Sequence, residues 1–95
     1  MIPEDKLSVI RDYLRTEFPD FKLDDRYDFD RIAQTFRLNA GQKTQLVTVL
    51  RKFIDDQTPA KLSMILQESH LKQYFNNEKV TRVLVTTEGI GTENL

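Results

Sequence analysis

The chain contains no cysteine, which removes disulfides, thiolate metal ligands and thiol nucleophiles together and fits a reducing cytoplasm. No segment approaches the ~20 consecutive apolar residues that span a bilayer, and residues 1–6 lack the apolar stretch of a secretory leader. Charge of one sign is also missing. Fourteen Lys and Arg stand against fifteen Asp and Glu, a net charge of -1, so no global field draws nucleic acid or an anionic membrane. Glycine is scarce, at three residues, and none sits in a phosphate-binding loop: Gly89-Ile90-Gly91 follows a strand pattern with no helix behind it. These absences point to a soluble cytoplasmic protein with neither membrane partner nor cofactor.

What is present suits a small globular domain. Ninety-five residues, 39% hydrophobic and 31% charged, carry enough apolar material for one modest core. Leu7, Ile10, Leu14 and Phe18 recur at helical spacing with Lys6, Arg11, Asp12 and Arg15 between them. Pro3 suits the first helical turn, Glu4 and Asp5 suit its positive dipole end, and Pro19 stops it. The stretch from Asp20 to Asp30 is rich in aspartate and reads as an acidic connection.

From Tyr27 to Ile54 two periodicities compete. Phe29, Ile32, Ala33 and Phe36, followed by Leu46, Val49, Leu50, Phe53 and Ile54, fit two helical stripes and a helix-turn-helix. As strands, Leu38 and Gln42 flank a three-residue loop, Asn39-Ala40-Gly41, with glycine where a left-handed residue is needed. That loop sets Leu38 opposite Gln42, Phe36 opposite Thr44, Gln34 opposite Leu46 and Ile32 opposite Thr48, with Leu50 and Ile54 continuing the same side. The other side then carries Arg31, Ala33, Thr35, Arg37, Lys43, Gln45, Val47, Val49 and Arg51.

The run from Lys79 to Thr87 decides between them, because Val80, Thr81, Val83, Val85, Thr86 and Thr87 are β-branched and a lone strand needs a partner. Only the Tyr27–Ile54 region can supply it. Between these strands Thr58-Pro59 starts a helix whose stripe, Leu62, Ile65 and Leu66, jumps phase at Ser69-His70 to Leu71, Tyr74 and Phe75, ending at Asn76-Asn77. The expected fold is therefore α+β: a single domain over residues 1–90 in the order helix-strand-strand-helix-strand, with a three-stranded antiparallel sheet and two main helices. Residues 91–95 are expected as a flexible C-terminal tail. The alternative is a mostly α, helix-turn-helix fold.

No set of residues spells out a reaction. His70, the only histidine, has Leu66 and Tyr74 as helical neighbours, neither able to orient it as a base. Ser8, Ser63 and Ser69 lack a glycine-rich elbow. Asp24, Asp25, Asp28 and Asp30 resemble hard-cation ligands only loosely, since Arg26 interrupts them and no glycine makes the sharp turn of a calcium loop. No enzymatic activity, metal site or cofactor is expected.

The remaining constellation is the outer face of the expected sheet, comprising Phe29, Arg31, Ala33, Arg37, Lys43, Val47, Val49 and Arg51, extended by Arg82 and Leu84. Its apolar strip of Ala33, Val47 and Val49 suits a protein partner or a second copy in a homodimer. Its arginines beside an aromatic ring suit single-stranded nucleic acid as the alternative, at weak affinity for want of net positive charge. The acidic segment from Asp24 to Asp30 could equally fold against these arginines and neutralise them.

Overall fold

The computed structural model describes residues 2–76 and 78–94. The elements follow in the order α1 (Glu4–Glu17), β1 (Lys22–Asp28), β2 (Ala33–Ala40), β3 (Lys43–Leu50), α2 (Arg51–Asp55), α3 (Pro59–Ser69), a 3-10 turn (Leu71–Phe75), β4 (Val80–Thr86) and β5 (Gly89–Asn94). The five strands form one sheet in the order β1-β2-β3-β4-β5. All neighbours are antiparallel except β3 and β4, which run parallel and are joined through α2, α3 and the 3-10 turn.

The fold is α+β, as expected, but the three-stranded antiparallel sheet with two helices is corrected to a five-stranded mixed sheet with three helices, and the helix-turn-helix alternative is excluded. Two strands and a short helix account for the difference, the helix being α2, which begins at Arg51 where the expected second strand ran on to Ile54. β1 reads Lys-Leu-Asp-Asp-Arg-Tyr-Asp, and its aspartates suggest a loop, yet Leu23, Asp25 and Tyr27 turn half-buried toward the helices while Lys22, Asp24 and Arg26 face solvent. Charge is what an edge strand uses to discourage further pairing. β5 occupies residues 89–94, so residues 91–94, expected as a tail, pair instead with β4 through Gly91↔Leu84, Thr92↔Val83 and Glu93↔Arg82. Leu95 lies outside the described residues, as does Asn77.

The β2–β3 connection is also corrected. Gly41-Gln42 forms a two-residue turn between Ala40 and Lys43, and Leu38 pairs with Gln45 where Gln42 was expected, a slip of 45 − 42 = 3 residues. Gly41 has φ +63 and Gln42 no positive φ, the pattern of a II′ turn with glycine at its first central position. Side chains alternate along a strand, so an odd slip turns β3 over. Val47 and Val49 thereby enter the core beside Phe36, while Thr44, Leu46 and Thr48 face outward. Nothing lies within 4 Å of a Cβ built on Gly41, so the cost of Gly41→Ala is backbone strain alone. A loss of about 1 kcal/mol in urea unfolding is expected. An unchanged midpoint would refute the left-handed turn.

One face of the sheet supplies Phe36, Leu38, Val47, Val49, Val83 and Val85 to the core. Over it lie Leu7, Ile10 and Leu14 of α1 and Leu62 and Leu66 of α3. The Thr58 hydroxyl caps α3 by accepting from the Lys61 amide at 3.2 Å. His70, at φ +48, ends that helix, and the break rotates Leu71 and Phe75 back onto the core, accounting for the phase jump in the stripe. No helix among the described residues is long and apolar enough to cross a membrane.

Candidate interaction face

The sheet face opposite the helices is built by alternation along each strand. β1 contributes Asp24, Arg26 and Asp28; β2 Ala33, Thr35 and Arg37; β3 Leu46 and Thr48; β4 Arg82 and Leu84; β5 Glu93. Asp24 stands across from Arg37 and accepts from its Nη2 at 2.9 Å and Nε at 3.2 Å. Glu93 gathers two arginines. Arg31 reaches it with two donors at 3.2 and 3.3 Å, and Arg82 Nε lies 3.4 Å away. Arg82 Nη1 also donates to the Thr48 hydroxyl at 2.6 Å, and Thr48 bonds Thr35 at 3.1 Å. A polar chain thus runs from the β1–β2 turn through Glu93, Arg82 and Thr48 to the centre of the face. Arg26 has no ion-pair partner among the described residues and borders a hollow of about 300 Å3 with Asp24, Asp28, Thr35, Arg37, Leu46 and Arg82.

The turn between β1 and β2 forms one corner of this face. Asp28 Oδ1 accepts from the Asp30 and Arg31 amides at 3.0 and 3.2 Å, and the Ile32 carbonyl accepts from the Arg51 amide at 3.0 Å. These bonds hold Ile32 at φ +53, a left-handed conformation that is an outlier for a β-branched residue. Ile32 is nevertheless 61% exposed and Phe29 83% exposed, the latter stacked edge-on against Tyr27 with ring centroids 4.8 Å apart.

Of the residues expected on the face, Arg37, Arg82 and Leu84 lie on it, Ala33 lies on it but fully buried, Arg31 reaches it from the β1–β2 turn through Glu93, and Phe29 lies in that turn against Tyr27. The others leave it. Val47 and Val49 are fully buried under the helices because of the β3 register, and Lys43 falls by the same alternation on the helix side, exposed at the hairpin end. Arg51 opens α2 and pairs with Asp55 at 3.4 Å. The face members absent from the sequence reading, Asp24, Arg26, Asp28, Leu46, Thr48 and Glu93, belong to the unrecognised strands or to the opposite side of β3. The period-two signal of Leu23 and Tyr27 around Asp25 would have revealed β1.

Strand alternation also disperses the acidic cluster. Asp24 and Asp28 face outward, Asp25 inward and Asp30 sits in the turn, and no group of three or more potential metal ligands stands together among the described residues. A second groove, of about 570 Å3 between α1 and α3, contains Asp12, Tyr13, Glu17, Ser63 and His70. Its Tyr13 hydroxyl donates to Glu17 at 3.1 Å and accepts the Leu71 amide at 2.9 Å, and burial pushes its pKa up to about 12. Tyr13 is therefore a protonated clamp on the start of the 3-10 turn. No family model, curated protein or solved structure matches the chain.

Proposed function

We propose that this protein is a non-enzymatic interaction module that docks a protein partner at the Phe29–Ile32 corner of its outer sheet face. The observation carrying this reading is the conjunction of strain and exposure at Ile32. A β-branched residue in the left-handed region costs about 1–3 kcal/mol, and an isoleucine that is 61% exposed returns little of it through packing. Three residues away in the same turn, Phe29 leaves an aromatic ring 83% exposed, the residue type that anchors interfaces. Arg31 of the same turn, held by Asp28 and Glu93, gives it a polar border. Self-association through Val47 and Val49 is withdrawn, since both are core residues. Single-stranded nucleic acid is disfavoured because Asp24, Asp28 and Glu93 stand against Arg37, Arg31 and Arg82. The cytoplasmic location belongs to the same proposal and rests on the absence of cysteine.

Ile32→Gly separates strain from use. Glycine relieves the left-handed conformation but adds freedom to the unfolded chain, so a net stabilisation of about 1 kcal/mol is expected. A photoreactive side chain at position 29 should crosslink a discrete protein partner, and Ile32→Gly should weaken that crosslink while raising the unfolding midpoint. Equal crosslinking from a control position on the exposed Thr87-Glu88 turn would sink the proposal, as would a crosslink indifferent to Ile32→Gly.

A further inference from the structure

The two edges of the sheet differ in kind. β1 carries five charged residues in seven, and Arg11 of α1 reaches its Asp25 at 2.8 Å. β5, Gly-Ile-Gly-Thr-Glu-Asn, carries a single charge in six residues, and among the described residues β4 is the only strand paired with it. That charge is drawn back over the sheet, because Glu93 is held by Arg31 and Arg82. Among the described residues the edge has no proline and no further strand beside it, and the one irregularity of this hairpin, between Val80 and Arg82, lies on β4 and not on β5.

The direction of the β5 backbone follows from its bonds. The Thr86 hydroxyl donates to the Gly89 carbonyl at 3.0 Å and the Thr81 hydroxyl to the Glu93 carbonyl at 3.4 Å, so residues 89 and 93, and with them 91, aim their backbone groups at β4. Alternation then aims the N–H and C=O groups of Ile90, Thr92 and Asn94 at the free edge.

We propose that this edge pairs with β5 of a second copy, antiparallel about a two-fold axis at Thr92, joining two sheets into one. In this register Thr92 exchanges both backbone bonds with Thr92 of the second copy, and Ile90 does so with Asn94 of the second copy, in both directions. All three outward-facing residues are satisfied. The side chains agree with it: β-branched Thr92 meets its own copy, and Glu93 stands opposite Gly91 of the second copy, so no like charges face each other. A strand that completes its own hydrogen bonding in this way forms an isologous contact and needs no foreign sequence. The assignment stands apart from the Phe29–Ile32 corner and survives that proposal's failure.

Sedimentation velocity over a wide concentration range should show the mass rising from monomer to dimer. Thr92→Lys places two ammonium groups across the axis and should weaken the dimer about a hundredfold or more, with circular dichroism and unfolding midpoint retained. In the wild-type chain, amide exchange at Ile90, Thr92 and Asn94 should slow as concentration rises, while Gly91 and Glu93, bonded to β4, stay unaffected. This second readout decides the matter if Thr92→Lys does not fold. A wild-type protein monomeric at every concentration overturns the assignment and leaves the edge to a strand from another protein. A dimer whose Ile90, Thr92 and Asn94 amides exchange at the monomer's rate overturns it as well.

Discussion

Val47→Lys is expected to leave the protein largely unfolded at room temperature, while Leu46→Lys, one residue away, is expected to fold. Val47 is fully buried beneath the helices with Phe36 and Val83 as its strand neighbours on that face, and the nearest carboxylate in the row, Asp25 beyond Phe36, is already taken by Arg11. An unpaired buried charge costs several kcal/mol, a large share of the ~5–15 kcal/mol by which a domain is stable. Leu46 lies on the outer face, half-buried beside Asp24 and Asp28, so a lysine there keeps its head in water and changes stability by about 1 kcal/mol or less. The pair of variants measures the β3 register directly. With β3 turned over, as the three-residue loop implies, the two outcomes would exchange.

Asp25→Asn is the second large effect, and it carries a pH signature. Burial pushes the Asp25 carboxyl up, but the Arg11 guanidinium, bound through Nε at 2.8 Å and Nη2 at 2.9 Å, and the Gln34 amide outweigh it and hold the group below its ordinary value of 3.8. Removing one partner of a buried pair costs about 3–5 kcal/mol. Arg11 is 24% exposed and keeps Glu4 at 2.6 Å, so the expected loss at neutral pH is smaller, about 2–3 kcal/mol. Because the folded value is depressed, this contribution is fully present above the unfolded value and disappears as pH falls through the folded one. Urea unfolding of the two proteins should differ by a constant amount above about pH 5, begin to converge near the ordinary carboxylate value of about 4, and meet only once pH has fallen below the depressed folded value. A difference that persists unchanged into stronger acid would show that Asp25 acts through shape and not charge.

The two long helices, α1 and α3, were legible because their signals are redundant, while the five-residue α2 was read as the end of a strand. In α1 the stripe of Leu7, Ile10 and Leu14 agrees with acidic residues in the first turn, and in α3 the Thr58 cap agrees with Pro59 and with Leu62 and Leu66. β4 was legible from β-branching, and the inward side of β2 from Phe36 and Leu38. The phase of β3 was not. Its two sides, Gln45, Val47, Val49 against Thr44, Leu46, Thr48, differ little in apolarity, and a single glycine at position 41 satisfies two loop lengths whose registers differ by an odd number. The choice rests on a long-range term, the parallel partners Val83 and Val85, which favour valines on the helix side. Edge strands defeat pattern reading for a related reason: β1 is charged and β5 glycine-rich, compositions that usually mark loops. Neutralisation of the arginines by the acidic segment was legible and is met by Asp24 on Arg37 and Asp28 on Arg31, whereas Glu93, on the overlooked β5, was not.

The parallel junction between β3 and β4 also bears on the order in which the molecule assembles. The β1–β3 meander closes through short turns, whereas Leu46 meets Arg82 only across a sequence separation of 82 − 46 = 36. Loop closure over that span is rewarded only once α3 and the 3-10 turn have compacted it. The β4–β5 hairpin is thus a late arrival, and until it docks, β3 is itself an open edge with Val47 and Val49 beside it. Substitutions that slow α3, such as loss of the Thr58 cap, would act at that distant strand, lengthening the interval in which a folding chain is vulnerable to aggregation.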